Sequence, residues 1–230
     1  MHALVFDGDL IVTILQIIAI DILLGGDNAV VIALACRQLP PALRNKGILW
    51  GTFGAIALRI VLVFFALELL ALPYLRLIGS LLLVWIGIKL MLPQDDDPHD
   101  KIPASTHLLG AIRTVIIADA VMSLDNVVAI AGAADGHIGL VAAGILISVP
   151  IIVWGSKLVL RLMDRFPIVI MFGAALLGWI AGEMAMEDGA LLAHTGALPA
   201  WSHYAVSLAT ALLVVLIGRW LARRRPVSAT

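Results

Sequence analysis

The sequence has little charge and almost no cysteine. Only 13% of its 230 residues are charged and 62% are hydrophobic, whereas an ordinary soluble domain is roughly half apolar and about a quarter charged. The single cysteine, Cys36, excludes an internal disulfide framework and a metal site built from several cysteines. The formal net charge of −1 gives no electrostatic reason to expect a nucleic-acid partner. This composition predicts a polytopic protein embedded in a lipid bilayer.

The N-terminal segment also lacks basic residues. The first ten residues contain Asp7 and Asp9 but no lysine or arginine, whereas a cleavable signal peptide begins with a basic segment. We therefore expect the first apolar run to be retained. A helix that spans the bilayer needs about 20 mostly apolar residues. Seven runs meet this requirement, at about 10–35, 47–70, 73–92, 108–133, 138–160, 167–187 and 203–222. The sequence thus predicts an all-α fold of seven transmembrane helices.

Basic residues are distributed unevenly among the turns that join these helices. They cluster after the first, fifth and seventh predicted helices and do not occur in residues 135–137 or 187–203. Because lysine and arginine favour the cytoplasmic side of a membrane, the N-terminus is expected outside and the C-terminus in the cytoplasm. The three clusters are Arg37, Arg44 and Lys46; Lys157, Arg161 and Arg165; and Arg223, Arg224 and Arg225.

Two acidic segments lie near the middle of long apolar runs and are copies of each other. Residues 21–28 read Asp-Ile-Leu-Leu-Gly-Gly-Asp-Asn, and residues 119–126 read Asp-Ala-Val-Met-Ser-Leu-Asp-Asn, at a constant offset of 98 positions. A carboxylate at such depth is costly unless it has a partner, and it commonly marks a functional site. The candidate metal ligands are Asp21, Asp27, Asn28, Asp119, Asp125 and Asn126.

The spacing within each copy indicates how these side chains could meet. In an unbroken helix the first aspartate and the asparagine of a copy are seven positions apart and share a face. If the two faces meet, six oxygen-bearing side chains converge, which suits hard cations such as Mn²⁺, Ca²⁺ and Mg²⁺. Four carboxylates around one divalent ion leave surplus negative charge, so one or more should hold a proton. Competition between metal and protons then gives a physical basis for exchange of the two.

Other interpretations of these residues stay open at the level of sequence. The acids could instead pair with Arg59, in the middle of the second predicted helix, or join neighbouring helices by hydrogen bonds. The small residues Gly25–Gly26 and Ser123 either allow a break that frees backbone carbonyls or let helices pack closely. Glu183, in the sixth predicted helix, is either a ligand or proton acceptor on the exit path or a residue that faces outer water.

The duplication extends beyond the acidic segments. Gly79 and Trp85 in the third predicted helix align with Gly173 and Trp179 in the sixth, at an offset of 94 positions. The first three helices and the next three are therefore predicted to be two copies. Because each copy has an odd number of helices, the copies are inverted in the membrane, as in many secondary transporters. The predicted division is a first repeat at 1–92, a cytoplasmic linker at 93–107, a second repeat at 108–190, and a seventh helix with a basic tail at 191–230.

These features resemble the TerC family of integral membrane proteins, in particular its shorter bacterial branch. The resemblance depends on the segments Asp21–Asn28 and Asp119–Asn126 and covers nearly the whole chain. It implies a multi-pass protein of the bacterial inner (plasma) membrane that exports a divalent cation, with Mn²⁺ first and Ca²⁺ and Mg²⁺ as alternatives. Some members carry glutamate where Asp21 and Asp119 stand, so the preferred metal is open.

Two functions other than transport are also compatible with an acidic intramembrane motif. The segment Gly25–Asp27 is close to the Gly-x-Gly-Asp motif of intramembrane proteases, but the asparagine after each acid has no role in that chemistry, so no enzyme is expected. A non-transporting membrane partner that supplies metal to secreted proteins, or stabilises a complex, is the main alternative. The sequence leaves open whether the chain forms a homo-oligomer.

Overall fold

The described part of the chain is helical. The computed structural model describes residues 18, 26–65, 69, 72–92, 104–133, 138–196 and 199–224, with backbone alone at 104–106, 125–133, 138–143 and 200. No strand occurs within these residues, and the predicted all-α class is confirmed. The helices of the described part are α1 (Gly26–Arg37), α2 (Pro41–Phe64), α3 (Leu75–Met91), α4 (Ala104–Ala133), α5 (Ile138–Arg165), α6 (Ile168–Met186), α7 (Gly189–Thr195) and α8 (Ala200–Arg224).

Several of these helices have the length and composition of membrane spans. Within the described residues, five segments are long and apolar enough to cross a bilayer, and they lie in α2, α4, α5, α6 and α8. The third predicted span corresponds to α3, which has 17 residues. The first predicted span is described as a helix only from Gly26 onward. The membrane class is therefore supported, and the total of seven spans stays a prediction.

The helix ends differ from the predicted ends where polar residues continue a helix beyond its apolar part. α2 begins at Pro41, whereas the apolar run predicted a start near 47. Proline suits the first turn of a helix because the N–H that it lacks would have no partner there. Arg44 and Lys46 are consequently helical. The short helix α7 occupies part of the stretch that was predicted as an outer turn, and it begins where Asp188 accepts hydrogen bonds from the backbone N–H groups of Ala190 and Leu191.

Small residues set the closest helix contacts. α6 packs against α8 and α3, α2 packs against α4 and α5, and α1 packs against α5 and α4. A Cβ atom added at Gly182 would lie 2.5 Å from the Cα of Ser207 on α8, and one at Gly178 would lie 2.7 Å from the Cα of Ala211. Helices in membranes commonly associate through such small residues, because they let two backbones approach.

Ion pairs join helix ends at the two ends of the bundle. At one end, Arg44 at the start of α2 donates from Nη1 to Asp164 Oδ2 of α5 at 2.7 Å and from Nη2 to the carbonyl of Arg37 at 3.1 Å. At the other end, Arg76 at the start of α3 donates from Nη1 to Glu187 Oε2, after α6, at 3.4 Å and to the carbonyl of Glu187 at 2.8 Å. The first end thus gathers the end of α1, the start of α2 and the end of α5, as alternating helix directions require.

Candidate functional site

A buried charged cluster joins α2 to α4. Arg59 is 2% exposed and Asp119 is 6% exposed, and Arg59 donates from Nη2 to Asp119 Oδ1 in an ion pair. Arg59 also donates from Nε to Ser123 Oγ at 2.9 Å, and Ser123 Oγ donates to Asp119 Oδ2 at 3.3 Å. Both oxygens of Asp119 therefore accept hydrogen bonds, and the arginine compensates its charge. We call Arg59, Asp119 and Ser123 the charged cluster.

Local sequence explains how the charged cluster forms. Asp119 and Ser123 are four positions apart on α4 and so share a face of that helix. α2 approaches α4 closely through glycines, because a Cβ atom at Gly51 would lie 3.2 Å from Val115 and one at Gly54 would lie 2.5 Å from the Ile116 side chain. This close approach lets Arg59, further along α2, reach the two side chains without leaving the protein interior.

Asp27 and Asn28 lie on α1, near the charged cluster. Asp27 is half-buried, and its Oδ1 accepts a hydrogen bond from the backbone N–H of Asn28 at 3.0 Å. Helix α1 packs against α4, the helix that carries Asp119 and Ser123. The described part of the first acidic segment thus lies on a helix that contacts the helix of Asp119.

Asn28 is the unusual side chain of this region. It is 2% exposed, and neither its Nδ2 nor its Oδ1 has a hydrogen-bond partner within the described part of the chain. Leaving a buried amide unsatisfied costs about 1–3 kcal/mol, and most buried polar atoms in proteins do have partners. The Asn28 amide therefore has hydrogen-bonding or coordinating capacity that the described side chains do not use.

Half of the predicted ligand set can be located in this way. The structure describes Asp27, Asn28 and Asp119, while Asp21 and the side chains of Asp125 and Asn126 lie outside the described residues. Among described side chains, no three of His, Cys, Asp or Glu come together as metal ligands. The convergence of all six side chains stays a prediction.

Two alternatives from the sequence can be decided in part. α4 is one continuous helix from Ala104 to Ala133, so a helix break at the second acidic segment is wrong. The corresponding question for the first segment includes Gly25, which lies outside the described residues. For Asp119 the structure shows the pairing with Arg59 that the sequence left open as an alternative to metal binding.

Two other candidate residues have simpler environments. Glu183 is exposed, and its Oε1 accepts a hydrogen bond from Trp179 Nε1 at 2.8 Å, which agrees with a side chain that faces the surroundings. Cys36 is buried and free. Sequence analysis missed Ser123 as a partner of Arg59, although its four-residue spacing from Asp119 was a signal that could have identified it.

Comparison with known proteins gives a consistent assignment. The family model described as "Integral membrane protein TerC family" matches residues 6–226. The uncharacterized membrane protein YjbE of Bacillus subtilis (strain 168) is 46% identical over 180 residues, which cover 78% of this chain and 82% of that protein. The UPF0053 inner membrane protein YgdQ of Escherichia coli (strain K12) is 24% identical over 185 residues, covering 74% of this chain and 78% of that protein. No solved structure matches the chain. Because the family model covers nearly the entire sequence, the chain belongs to the TerC family of integral membrane proteins.

Proposed function

We propose that this protein exports a hard divalent cation across the bacterial inner membrane, with Mn²⁺ as the first candidate and Ca²⁺ and Mg²⁺ as alternatives. The observation that carries this function is the charged cluster beside Asp27 and the unsatisfied amide of Asn28. Ionisable groups inside apolar helices are rare because they are costly, and in membrane proteins they commonly mark ion pathways.

Charge balance suggests a role for Arg59 in this mechanism. The four aspartates of the two acidic segments carry four negative charges when ionised, and Arg59 carries one positive charge. The sum of these charges is −3 without a metal ion and −1 with a bound divalent cation. Arg59 must release Asp119 before that carboxylate can bind the metal. Protons that neutralise the remaining carboxylates would compete with the metal, so we include proton exchange in the proposal.

The helix packing supports two inverted copies, which belong to the same proposal. If the two copies are related by symmetry, α1, α2 and α3 correspond to α4, α5 and α6, and each contact between copies should have an equivalent. The contact of α1 with α5 is equivalent to that of α4 with α2, and the contact of α1 with α6 is equivalent to that of α4 with α3. The corresponding helices α1 and α4, α2 and α5, and α3 and α6 also contact each other, and the structure shows all of these contacts. Transporters built from inverted copies bind their substrate near the bilayer midplane, between the copies. The acidic segments are the corresponding elements of the two copies here.

Flux through the purified protein tests this function directly. Full-length protein in liposomes should move Mn²⁺ down an imposed gradient, and Asp27→Asn, Asp119→Asn and Asp125→Asn should each abolish that movement. Glu183→Gln is the matched control, because it removes an exposed carboxylate outside the charged cluster and should leave the flux unchanged. If the Asp27 and Asp125 variants transport as well as the unmodified protein, the site is misplaced.

A non-transporting metal donor is the second candidate function. It is favoured by the hydrogen bonds that already engage both oxygens of Asp119, since such an arrangement could simply hold α2 and α4 together. Binding and flux separate the two functions, because a donor should bind Mn²⁺ in detergent but carry none across a liposome membrane. We propose no enzymatic activity. Purified protein incubated with a helical membrane substrate should therefore show no proteolytic cleavage that depends on Asp27 or Asp125.

A further inference from the structure

The cleft between α3 and α4 has a different chemistry from the charged cluster. It has a volume of 260 Å³, and its lining includes Lys89 of α3 with Gly110 and Arg113 of α4. No residue of the charged cluster lines it. Sites that enclose a drug-sized molecule have volumes of roughly 300–1,000 Å³, so this cleft suits a smaller group, such as the headgroup of a lipid.

The polar part of the cleft is cationic. Lys89 and Arg113 approach it from facing helices, and the Lys89 Nζ lies 4.9 Å from the centroid of the Trp85 ring. Among the ion pairs of the described residues, none includes Lys89 or Arg113. The neutral hydroxyl in the lining, that of Thr114, already donates to the carbonyl of Gly110 at 2.9 Å. The cleft therefore presents two positive charges that no described carboxylate neutralises.

The remaining wall of the cleft is apolar and accessible. Trp85 is 55% exposed and Ile117 is 39% exposed, and both line the cleft together with the buried Ile86. Lys89 lies two residues before the end of α3 at Met91, near the end of the bundle that the distribution of basic residues assigns to the cytoplasm. At this depth a lipid phosphate can contact the cations while an acyl chain lies along the apolar wall.

We propose that this cleft binds an anionic phospholipid, with its phosphate between Lys89 and Arg113 and an acyl chain against Trp85 and Ile117. Basic pockets between transmembrane helices on the cytoplasmic side are suited to such headgroups. The competing occupant is residues 93–103 of the predicted linker, which follow α3 in the chain. Its carboxylates match the cations, but they lie in residues 95–100, where a single proline is the one apolar residue. A phospholipid instead supplies a phosphate for the cations and a long acyl chain for the exposed wall, so the lipid fits both halves of the cleft.

Lipid titration of the full-length protein tests this site. Purified protein in detergent is titrated with phosphatidylglycerol or phosphatidylcholine, and bound lipid is counted by native mass spectrometry. The double variant Lys89→Gln/Arg113→Gln should bind phosphatidylglycerol roughly 30-fold more weakly, because each basic residue contributes to attraction of anionic lipid. Binding of phosphatidylcholine should be weak and should change little. The matched control, Arg161→Gln/Arg165→Gln, removes two exposed cations from the end of α5 and should leave phosphatidylglycerol binding unchanged.

A second variant tests the cleft without removing charge. A Cβ atom at Gly110 would meet no atom within 4 Å, so Gly110→Leu should fill the cleft without displacing either helix and should weaken phosphatidylglycerol binding roughly tenfold. Equal binding by the unmodified protein and both cleft variants would overturn the lipid site, as would an equal loss in the control. Joint replacement of Asp95, Asp96, Asp97 and Asp100 by Asn tests the other occupant. A gain of roughly tenfold in phosphatidylglycerol binding would show that the linker residues 93–103 normally occupy the cleft, and it would also overturn the proposal.

Discussion

At the scale of single residues, the buried polar side chains fall into two groups with different energetic consequences. Arg59, Asp119 and Ser123 satisfy one another by hydrogen bonds. Among the described residues, the side-chain amide of Asn28 has no hydrogen-bond partner, and neither does the hydroxyl of Ser207 on α8. The first group contributes to the packing of α2 on α4. An unsatisfied buried amide lowers stability, so stability gives no reason for the presence of Asn28, whereas a coordinating role does.

We expect Asn28→Leu to raise stability while it abolishes flux. Leucine has similar branching and no polar atoms, so the free energy of unfolding should rise by about 1 kcal/mol, while the lost amide oxygen removes a ligand. Thermal unfolding in detergent and Mn²⁺ flux in liposomes measure the two effects. Ser207→Ala is the control, because it removes another unsatisfied buried polar group, far along the sequence from the acidic segments, and should leave flux unchanged. A fully active Asn28→Leu variant would exclude Asn28 as a ligand.

We expect strong energetic coupling between Arg59 and Asp119. Arg59→Met and Asp119→Leu should each lower the free energy of unfolding by about 3–5 kcal/mol, because each leaves an uncompensated buried charge. The double variant leaves no such charge and should be more stable than either single variant. A double-mutant cycle in denaturant measures this coupling. Arg113→Met, at an exposed arginine of the same helix α4, should change stability little. Additive losses in the double variant would contradict the buried ion pair.

At the scale of helices, close packing of α6 on α8 depends on two glycines. Gly178→Ala and Gly182→Ala should lower the thermal unfolding temperature, since the added Cβ would lie 2.7 Å and 2.5 Å from backbone carbons of α8 and the helices would have to separate. In an open helical position the same change stabilises by about 1 kcal/mol. Gly155→Ala provides that reference, because its Cβ would make an ordinary contact of 3.6 Å with Ala29. A similar gain in stability for all three variants would show that α8 does not pack on these glycines.

The apolar runs predict helices well, but their ends depend on polar residues. A run of apolar residues locates the part of a helix inside the bilayer, so α6 and α8 lie close to their predicted ranges. It cannot show that α2 extends back to Pro41, because the polar residues Arg44, Asn45 and Lys46 interrupt the apolar run. The duplicated motif identified Asp119 as exceptional, yet it could not select Arg59 as its partner. The partner of Asp119 depends on which helix packs against α4. This is a property of the tertiary structure, and the periodicity of the sequence does not predict it.

At the scale of the whole molecule, the contacts at the two ends of the bundle agree with alternating helix directions. Arg44 and Asp164 meet at the end where most basic residues lie, and Arg76 and Glu187 meet at the other. The sequence predicts these directions from the basic residues in the turns. It cannot predict the pairs themselves, since they join positions more than a hundred residues apart in the chain.

Labelling of single cysteines in intact cells tests this topology. In a Cys36→Ala background, Leu72→Cys and Thr195→Cys should react with a membrane-impermeant maleimide, because both positions are exposed and are expected outside. Asn45→Cys and Arg165→Cys are equally exposed but should react only after the cells are permeabilised, because basic residues surround them. The unsubstituted Cys36→Ala protein is the control for background labelling. Reaction of Asn45→Cys in intact cells would reverse the orientation, and reaction of Leu72→Cys and Asn45→Cys from the same side would show that α2 does not cross the bilayer. Either result would remove the inverted arrangement on which the shared cation site depends.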